Sequence, residues 1–238
     1  MSRLLVLFIA GFIGLSLRYI VLGEFELNQL LLLLMFPAAS VLVLFIMKKQ
    51  YNKDRDFHPD RGEKGMVTRL GDRVSATKKQ MYSGETHMGS YHRFYHSWRK
   101  RIVADIMTPG KWYLNLSFTL SNHDQVLFKP KNENKVRENK EWMIYHNDKE
   151  VGSIRTDYSW KNARKLKESL YLEYGQNTYH FKSLSIGAKT EIYHNDTTVA
   201  TGSRKGISVY QLVMNNECEH DQEMLFMVFI LFNYEFGQ

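Results

Sequence analysis

His92 and His96 are the residue pair whose spacing comes nearest to that of a metal site. On a helix, residues four positions apart share one face, as paired zinc ligands do. No H-E-x-x-H motif accompanies them. The single cysteine, Cys218, excludes a disulfide framework and a cysteine-based zinc site within one chain. We therefore interpret the pair as surface histidines, and we predict no metal site and no cofactor.

Catalytic motifs are missing from the sequence as well. It contains no G-x-S-x-G nucleophile motif, no glycine loop that could cradle a phosphate and no paired carboxylates with the spacing of an acid–base pair. We therefore predict no catalytic residue and a protein that is not an enzyme. An enzyme whose site is assembled from unremarkable residues remains the least supported alternative.

Clusters of basic residues offer a different kind of chemistry, the binding of anions. The first cluster, Arg99, Lys100 and Arg101, directly follows Trp98, and the spacing of Tyr91, Tyr95, Trp98 and Ile102 favours an amphipathic helix there. Basic residues beside aromatic ones suit a membrane surface. The second cluster lies in a predicted loop between hairpins and comprises Lys161, Arg164, Lys165 and Lys167. For each cluster, a solvated loop or an ordinary packed element is the competing interpretation.

Two apolar runs at the N-terminus indicate a membrane. Residues 4–22 contain one charge, Arg18, and residues 30–47 contain none, so each is close to the ~20 residues that cross a bilayer as a helix. A cleaved signal peptide would need a small-residue cleavage site, which the first run lacks. We therefore predict a transmembrane helical hairpin at residues 1–49, with Arg18 reaching the interface by snorkelling.

Lysine and arginine then set the orientation. Lys48 and Lys49 follow the second run, whereas the loop at residues 23–29 carries Glu24 and Glu26 and no basic residue. Because basic residues stay on the cytoplasmic side, we predict an integral membrane protein with two spans and both termini cytoplasmic. Lys48 and Lys49 are candidate contacts with anionic head groups. The charged stretch at residues 50–64 lacks periodicity and is predicted to be a juxtamembrane linker.

The remainder, residues 65–238, has the pattern of a mainly β domain. Short alternating runs are separated by Asn, Asp and Gly turns, which predicts about eleven strands, including strands at residues 65–70 and 73–80. The sequence Ile-Tyr-His-Asn-Asp occurs at residues 144–148 and again at 192–196, which favours a repeated hairpin. So many short, evenly spaced strands predict a sandwich or a barrel.

One segment breaks the β pattern. Residues 224–232 are nine consecutive large apolar residues preceded by several acids, and this predicts a helix capped by Asp221. A helix that is apolar all round must be buried on every side. A closed antiparallel barrel can enclose such a helix completely. The predicted fold is therefore a closed antiparallel β-barrel around a C-terminal hydrophobic helix, preceded by two transmembrane helices.

This combination resembles the tubby C-terminal-like superfamily, which includes LURP-one-related proteins and, more distantly, phospholipid scramblases. The segments most like the family are residues 142–154, a hairpin with a glycine in its return strand, and residues 221–236, which are similar to the helix that threads its barrel. The resemblance covers residues 65–238. It implies binding of lipid or phosphoinositide head groups through basic residues on the barrel surface.

Charge and membrane anchoring together define the expected partners. The net charge is +7, and residues 50–110 account for +5 of it, whereas residues 111–238 are neutral. We expect anionic membrane lipids as partners and no nucleic acid; a homo-oligomer or a protein partner stays open. The predicted function is a membrane-anchored, non-catalytic module or scaffold that binds anionic lipid head groups. The alternative is a scramblase-like lipid-handling protein, but only Ser16, Arg18 and Ser40 could line a path through the spans.

Overall fold

The structure, a computed structural model, combines two N-terminal helices with a β-barrel. It describes residues 2–24, 26–106, 113–132, 139–157, 168–183, 189–215 and 220–236. The helices are α1 (Ser2–Leu22), α2 (Leu27–Arg55), α3 (Trp98–Ile106) and α4 (Gln222–Phe236). The strands are β1 (Met66–Arg69), β2 (Lys79–Ser83), β3 (Thr86–Phe94), β4 (Asn115–Leu120), β5 (Gln125–Pro130), β6 (Glu141–His146), β7 (Lys149–Thr156), β8 (Glu168–Tyr174), β9 (Asn177–Ser183), β10 (Thr190–His194), β11 (Thr197–Lys205) and β12 (Val209–Met214).

Helices α1 and α2 are long and apolar enough to cross a membrane, a test that a signal sequence or a buried core helix would also pass. Burial excludes the core helix, because 0% of the most apolar part of α1 and 11% of that of α2 is buried. The two helices pack closely at Gly11, where an added Cβ would lie 2.4 Å from a methyl carbon of Leu33. The residues predicted to form a linker, 50–64, differ from that expectation in part, because α2 continues to Arg55.

The twelve strands form one closed antiparallel barrel, as predicted. Each strand pairs with its neighbours in the chain, and β1 pairs with β12 to close the ring. The described residues form twelve strands, one more than the eleven or so that the sequence predicted. The strand predicted at residues 73–80 begins only at Lys79, because the Asp72 carboxylate accepts hydrogen bonds from the N–H groups of Val74 and Ser75 and holds that stretch in a turn.

Helix α4 fills the barrel, which confirms the prediction from its apolar sequence. Every residue from Met224 to Glu235 is buried. The Asp221 carboxylate accepts the N–H of Met224 at 2.9 Å and so caps the helix as expected. The barrel wall comes so close at Gly202 that a Cβ there would lie 2.2 Å from the Phe229 ring.

The amphipathic helix predicted from the Tyr91, Tyr95, Trp98 and Ile102 spacing is wrong in its first half. Tyr91 lies in β3, which pairs with β2 on one side and β4 on the other, and the helix begins only at Trp98. The Tyr91 ring points into the barrel, where it stacks on Phe118 and meets Tyr234 edge-on. Packing in the barrel therefore overrides the helical spacing there.

The repeated Ile-Tyr-His-Asn-Asp sequence forms the same hairpin twice. Asn147 and Asp148 have φ of 47° and 64°, and Asn195 and Asp196 have 48° and 60°, so both turns use the left-handed region at both central residues. Each hairpin also has its β-bulge between the Ile and the Tyr of the repeat. The β2–β3 hairpin has its bulge at the matching position. The same unit therefore recurs every fourth strand around the barrel.

Candidate functional site

The two ends of the barrel differ in how their strands are connected. Because every strand is antiparallel to its neighbours, successive connections alternate between the ends. One end, which we call the hairpin end, carries the short turns after the even-numbered strands. The other, which we call the helical end, carries the connections after the odd-numbered strands, including α3 between β3 and β4.

Helix α2 is attached to the helical end through the carboxylate of Asp54. This side chain is fully buried and accepts the N–H groups of Gly71 and Asp72, the latter at 2.8 Å. It also accepts Nε of Arg69 at 3.0 Å, and Arg69 in turn donates to the side-chain oxygen of Gln50. A Cβ at residue 71 would lie 2.9 Å from oxygens of both Asp54 and Gln50, so a larger residue there would displace these side chains from the contact.

Helix α3 presents apolar and basic side chains together on its exposed side. Trp98 is 68% exposed and Ile102 is 42% exposed, and helical spacing places the two on one face with Arg99 and Arg101 on either side. The helix also contacts α1, where the Arg3 side chain donates to the carbonyl oxygen of Ile106. An exposed apolar face flanked by arginines is also found on helices that lie at a lipid interface.

The turn between β11 and β12 adds a further apolar group to the helical end. Ile207 in this turn is 82% exposed. Among the described residues outside α1 and α2, only four large apolar side chains are exposed, and Trp98, Ile102 and Ile207 are three of them. The fourth is Val213 on β12. Exposed apolar surface is therefore concentrated at the end to which α2 is attached.

A cavity of about 260 Å³ lies between α2 and the helical end. It is lined by Gln50, Leu70, Gly71, Arg73, Arg204, Ile207, Ser208 and Tyr210. Arg73 donates to the Tyr210 hydroxyl at 2.7 Å, and the Arg204 guanidinium lies 5.8 Å from the centre of the same ring. Two guanidinium groups and a phenol therefore surround one small space, which is a donor set for an anion.

Two further basic side chains are fully buried behind this end of the barrel. Burial lowers the pKa of the Lys79 ammonium, against the opposing effect of the Asp72 and Asp54 carboxylates. Burial likewise lowers the pKa of the Arg93 guanidinium, which donates to the carbonyl oxygen of Arg73 at 3.1 Å. Burial also raises the pKa of the Tyr234 hydroxyl, whose ring lies 6.0 Å from Lys79 Nζ. The buried Arg93 therefore lies directly behind the backbone of Arg73.

Comparison with known families identifies the barrel. The profile of the Tubby C-terminal like domain matches residues 73–236, more than half of the chain. The chain belongs to the Tubby C-terminal like domain family. No curated protein and no solved structure matches it. The match begins after α2 and after β1, so neither Gln50 nor Gly71 of the cavity lies within the family domain as matched.

The structure brings together some of the basic residues predicted from the sequence. Arg99, Lys100 and Arg101 lie on α3 at the helical end of the tubby-like domain, and Lys48 and Lys49 are exposed on α2, one turn before the residues that attach it there. The second predicted cluster, Lys161, Arg164, Lys165 and Lys167, lies outside the described residues. Strand β7, which precedes that cluster, ends at the helical end.

Sequence reasoning missed Arg73, Arg204 and Tyr210, which surround the cavity. Arg73 falls where a strand was predicted, and Arg204 and Tyr210 are register partners across the β11–β12 hairpin. No local motif joins Arg73 to this pair, because only the pairing of β1 with β12 brings them together. Asp54 was also missed, since it lies in a stretch of mixed charge that resembles a solvated linker.

Proposed function

We propose that this protein is a membrane-anchored, non-catalytic module in which α1 and α2 cross the bilayer as a hairpin and the tubby-like domain lies on the cytoplasmic side. The single observation that carries the proposal is the concentration of exposed apolar and basic side chains at the helical end, where α2 joins the barrel. On this proposal the helical end faces the membrane. Trp98, Ile102 and Ile207 enter the interface, and Arg99 and Arg101 contact anionic head groups.

Polar groups within the two helices support an anchor rather than a lipid path. The Ser16 hydroxyl donates to the carbonyl oxygen of Phe12 at 2.8 Å, and Arg18 forms ion pairs with Glu24 and Glu26 in the loop. Ser40 is buried in the described structure. A scramblase-like path would need polar groups that face a groove, so the scramblase-like alternative has the weaker support.

Spin labels placed at the two ends of the barrel test the orientation. In a Cys218→Ser background, single cysteines would replace Trp98, Ile207 and, at the hairpin end, the exposed Lys149, and the labelled full-length protein would be measured in nanodiscs. We expect labels at 98 and 207 to report the head-group region by relaxation with oxygen and a water-soluble nickel complex, and the label at 149 to report water. Equal exposure to water at all three sites would overturn the proposal.

Cysteine labelling in intact cells tests the topology separately. A membrane-impermeant reagent should label a cysteine at position 26, in the loop, and should not label one at position 238. Labelling at position 238 in intact cells would show that the tubby-like domain lies outside, and the cytoplasmic assignment would then fall.

A further inference from the structure

The cavity at the junction of α2 and the helical end has the chemistry of a specific site, in contrast to the open surface of α3. Its described lining includes two arginines and no acidic residue. The Asp54 carboxylate, which contacts Gly71 of the lining, is fully buried and already accepts two backbone N–H groups and Arg69. A space bordered by two guanidinium groups and no carboxylate favours an anionic ligand.

The arginines are held in place by the barrel itself. Arg73 is fixed at its side chain by the Tyr210 hydroxyl and at its backbone carbonyl by the buried Arg93. Arg204 donates to the carbonyl oxygen of Ile207 and lies over the Tyr210 ring. Because a side chain that is already ordered loses less entropy on binding, such positioning favours affinity for a small group.

Gln50 contributes a neutral donor from the helix side. Its side-chain oxygen accepts from Arg69, which assigns the opposite, amide nitrogen of the same group as a hydrogen-bond donor. The cavity therefore has donors on both walls, from α2 on one side and from the barrel on the other.

The size of the cavity limits the ligand. A volume of about 260 Å³ lies below the ~300–1,000 Å³ of pockets that hold drug-sized or cofactor-sized molecules. It suits a phosphate group with a small substituent better than a nucleotide. Gln50 follows Lys48 and Lys49 at the end of the apolar part of α2, so in the proposed orientation the cavity lies at the depth of lipid phosphates.

We propose that the cavity between α2 and the helical end, bordered by Arg73, Arg204, Gln50 and Tyr210, binds one phosphate ester, carried either by an anionic phospholipid head group or by a small soluble molecule. The proposal rests on the proposed function for the position of the cavity at the membrane. It is distinct from the α3 surface and depends on α2, which lies outside the matched family domain.

The test compares thermal unfolding of the full-length protein in nanodiscs of phosphatidylcholine alone, of phosphatidylcholine with phosphatidylglycerol, and of phosphatidylcholine with added glycerol phosphate. Binding to the folded state raises the unfolding temperature. The pocket variant is Arg73→Gln with Arg204→Gln. A matched variant, Lys129→Gln with Arg155→Gln, removes the same charge from the outer wall of the barrel, where both side chains lie over tyrosine rings.

We expect phosphatidylglycerol or glycerol phosphate to raise the unfolding temperature of the wild type and of the matched variant. The pocket variant should lose the response to glycerol phosphate and keep only the part of the response to phosphatidylglycerol that comes from the α3 surface. A response to the lipid alone identifies the head group as the source, and an equal response to glycerol phosphate identifies a soluble ester. Each arginine should account for roughly a tenfold loss in affinity, since hydrogen bonds to charged groups are of that size. A full response in the pocket variant would overturn the proposal.

Two additional variants distinguish a failure of the cavity proposal from a failure of the proposed function. Arg204→Gln alone alters an exposed residue, so it should fold even where the double variant does not, and it should lower the response by itself. Arg99→Gln with Arg101→Gln removes the surface charges of α3, and its effect should fade as salt rises, because exposed charges are screened. Loss of the response only in the α3 variant would contradict phosphate binding in the cavity and support the surface contact of α3. The absence of a response in every protein would contradict both the cavity proposal and the proposed lipid contact.

Discussion

The hairpin end and the helical end of the barrel are closed by different kinds of connection, and their side chains differ accordingly. At the hairpin end, two-residue turns place residues such as Asn147 and Asn195 in the left-handed region, so backbone geometry selects asparagine, aspartate or glycine. At the helical end, the longer connections impose no such condition and can therefore carry α3 and Arg73, whereas Ile207 lies in a short turn in which Gly206 takes the left-handed position with φ of 59°. In this barrel, residues selected by turn geometry therefore lie mainly at the hairpin end, and residues available for binding lie at the helical end.

The largest loss of stability is expected from a change in α4, because this helix forms the core that both ends of the barrel enclose. Phe229 is 1% exposed and lies against Gly202 of the wall, so Phe229→Asp would bury an unpaired charge, and we expect the whole tubby-like domain to fail to fold. Circular dichroism melts of the full chain would measure this. Ile207→Asp, which changes an exposed residue, serves as the control. A cooperative melt of Phe229→Asp at the wild-type temperature would mean that α4 does not form the core of the barrel.

The second effect is expected at the helical end alone. Asp54→Ala removes the acceptor of two backbone N–H groups and of Arg69, and the loss of one partner of a buried ion pair costs about 3–5 kcal/mol. Hydrogen exchange should show faster exchange of the amides of residues 71 and 72 with the hairpin turns unchanged. Asp56→Ala is the matched control, because that side chain is exposed and pairs only with its neighbour Arg55 among the contacts described. Unchanged protection at residues 71 and 72 would contradict the attachment.

A smaller effect is expected at the hairpin end. Asn147→Ala puts a residue with no left-handed preference at φ 47°, at a cost of about 1–2 kcal/mol, and removes the bonds of the asparagine to Asp124 and to the N–H of Gln125. Asn147→Gly removes the same bonds without the backbone cost, so the difference between the two variants isolates the turn. Urea unfolding would measure both free energies. If alanine and glycine destabilise equally, the turn geometry does not select the residue.

The smallest effect is expected on lipid contact at the helical end, without any effect on the fold. Arg99→Gln should weaken interaction with anionic nanodiscs by about 1 kcal/mol at low salt and leave the free energy of unfolding unchanged. The depth of a spin label at position 98, compared between neutral and anionic nanodiscs, would report it. Lys149→Gln at the hairpin end is the matched loss of charge and should have no effect. If Arg99→Gln and Lys149→Gln change the depth of the label equally, the two ends do not differ in their contact with lipid.

Features that depend on neighbours in the chain were predictable from the sequence. The run at residues 224–232, with acids before it and Asp221 as cap, predicted α4, and the repeated Ile-Tyr-His-Asn-Asp sequence predicted matching hairpins. Both signals lie within a few residues of the element that they specify. They also imply the closed barrel, because an entirely apolar helix needs a wall on every side.

Features that depend on closure of the ring were not predictable in the same way. Tyr91 fits a helical spacing with Trp98, yet pairing of β3 with two neighbours places it in the core. Arg73 and Arg204 meet only because β1 closes onto β12. The α3 cluster was visible because its basic residues are consecutive, whereas the cavity is assembled from three separate stretches of the chain, at residue 50, residues 70–73 and residues 204–210.

Closure of β1 onto β12 around α4 also has a consequence for biosynthesis. The first strand of the barrel must wait for the last, and the core is absent until α4 has left the ribosome. Until then, eleven or fewer strands would present an open edge and an empty interior, a state prone to pair with other chains. The apolar helices α1 and α2 emerge long before that point. If α1 and α2 insert early, each nascent barrel would be tethered to the membrane and kept apart from other nascent chains until α4 is synthesised and the core can form.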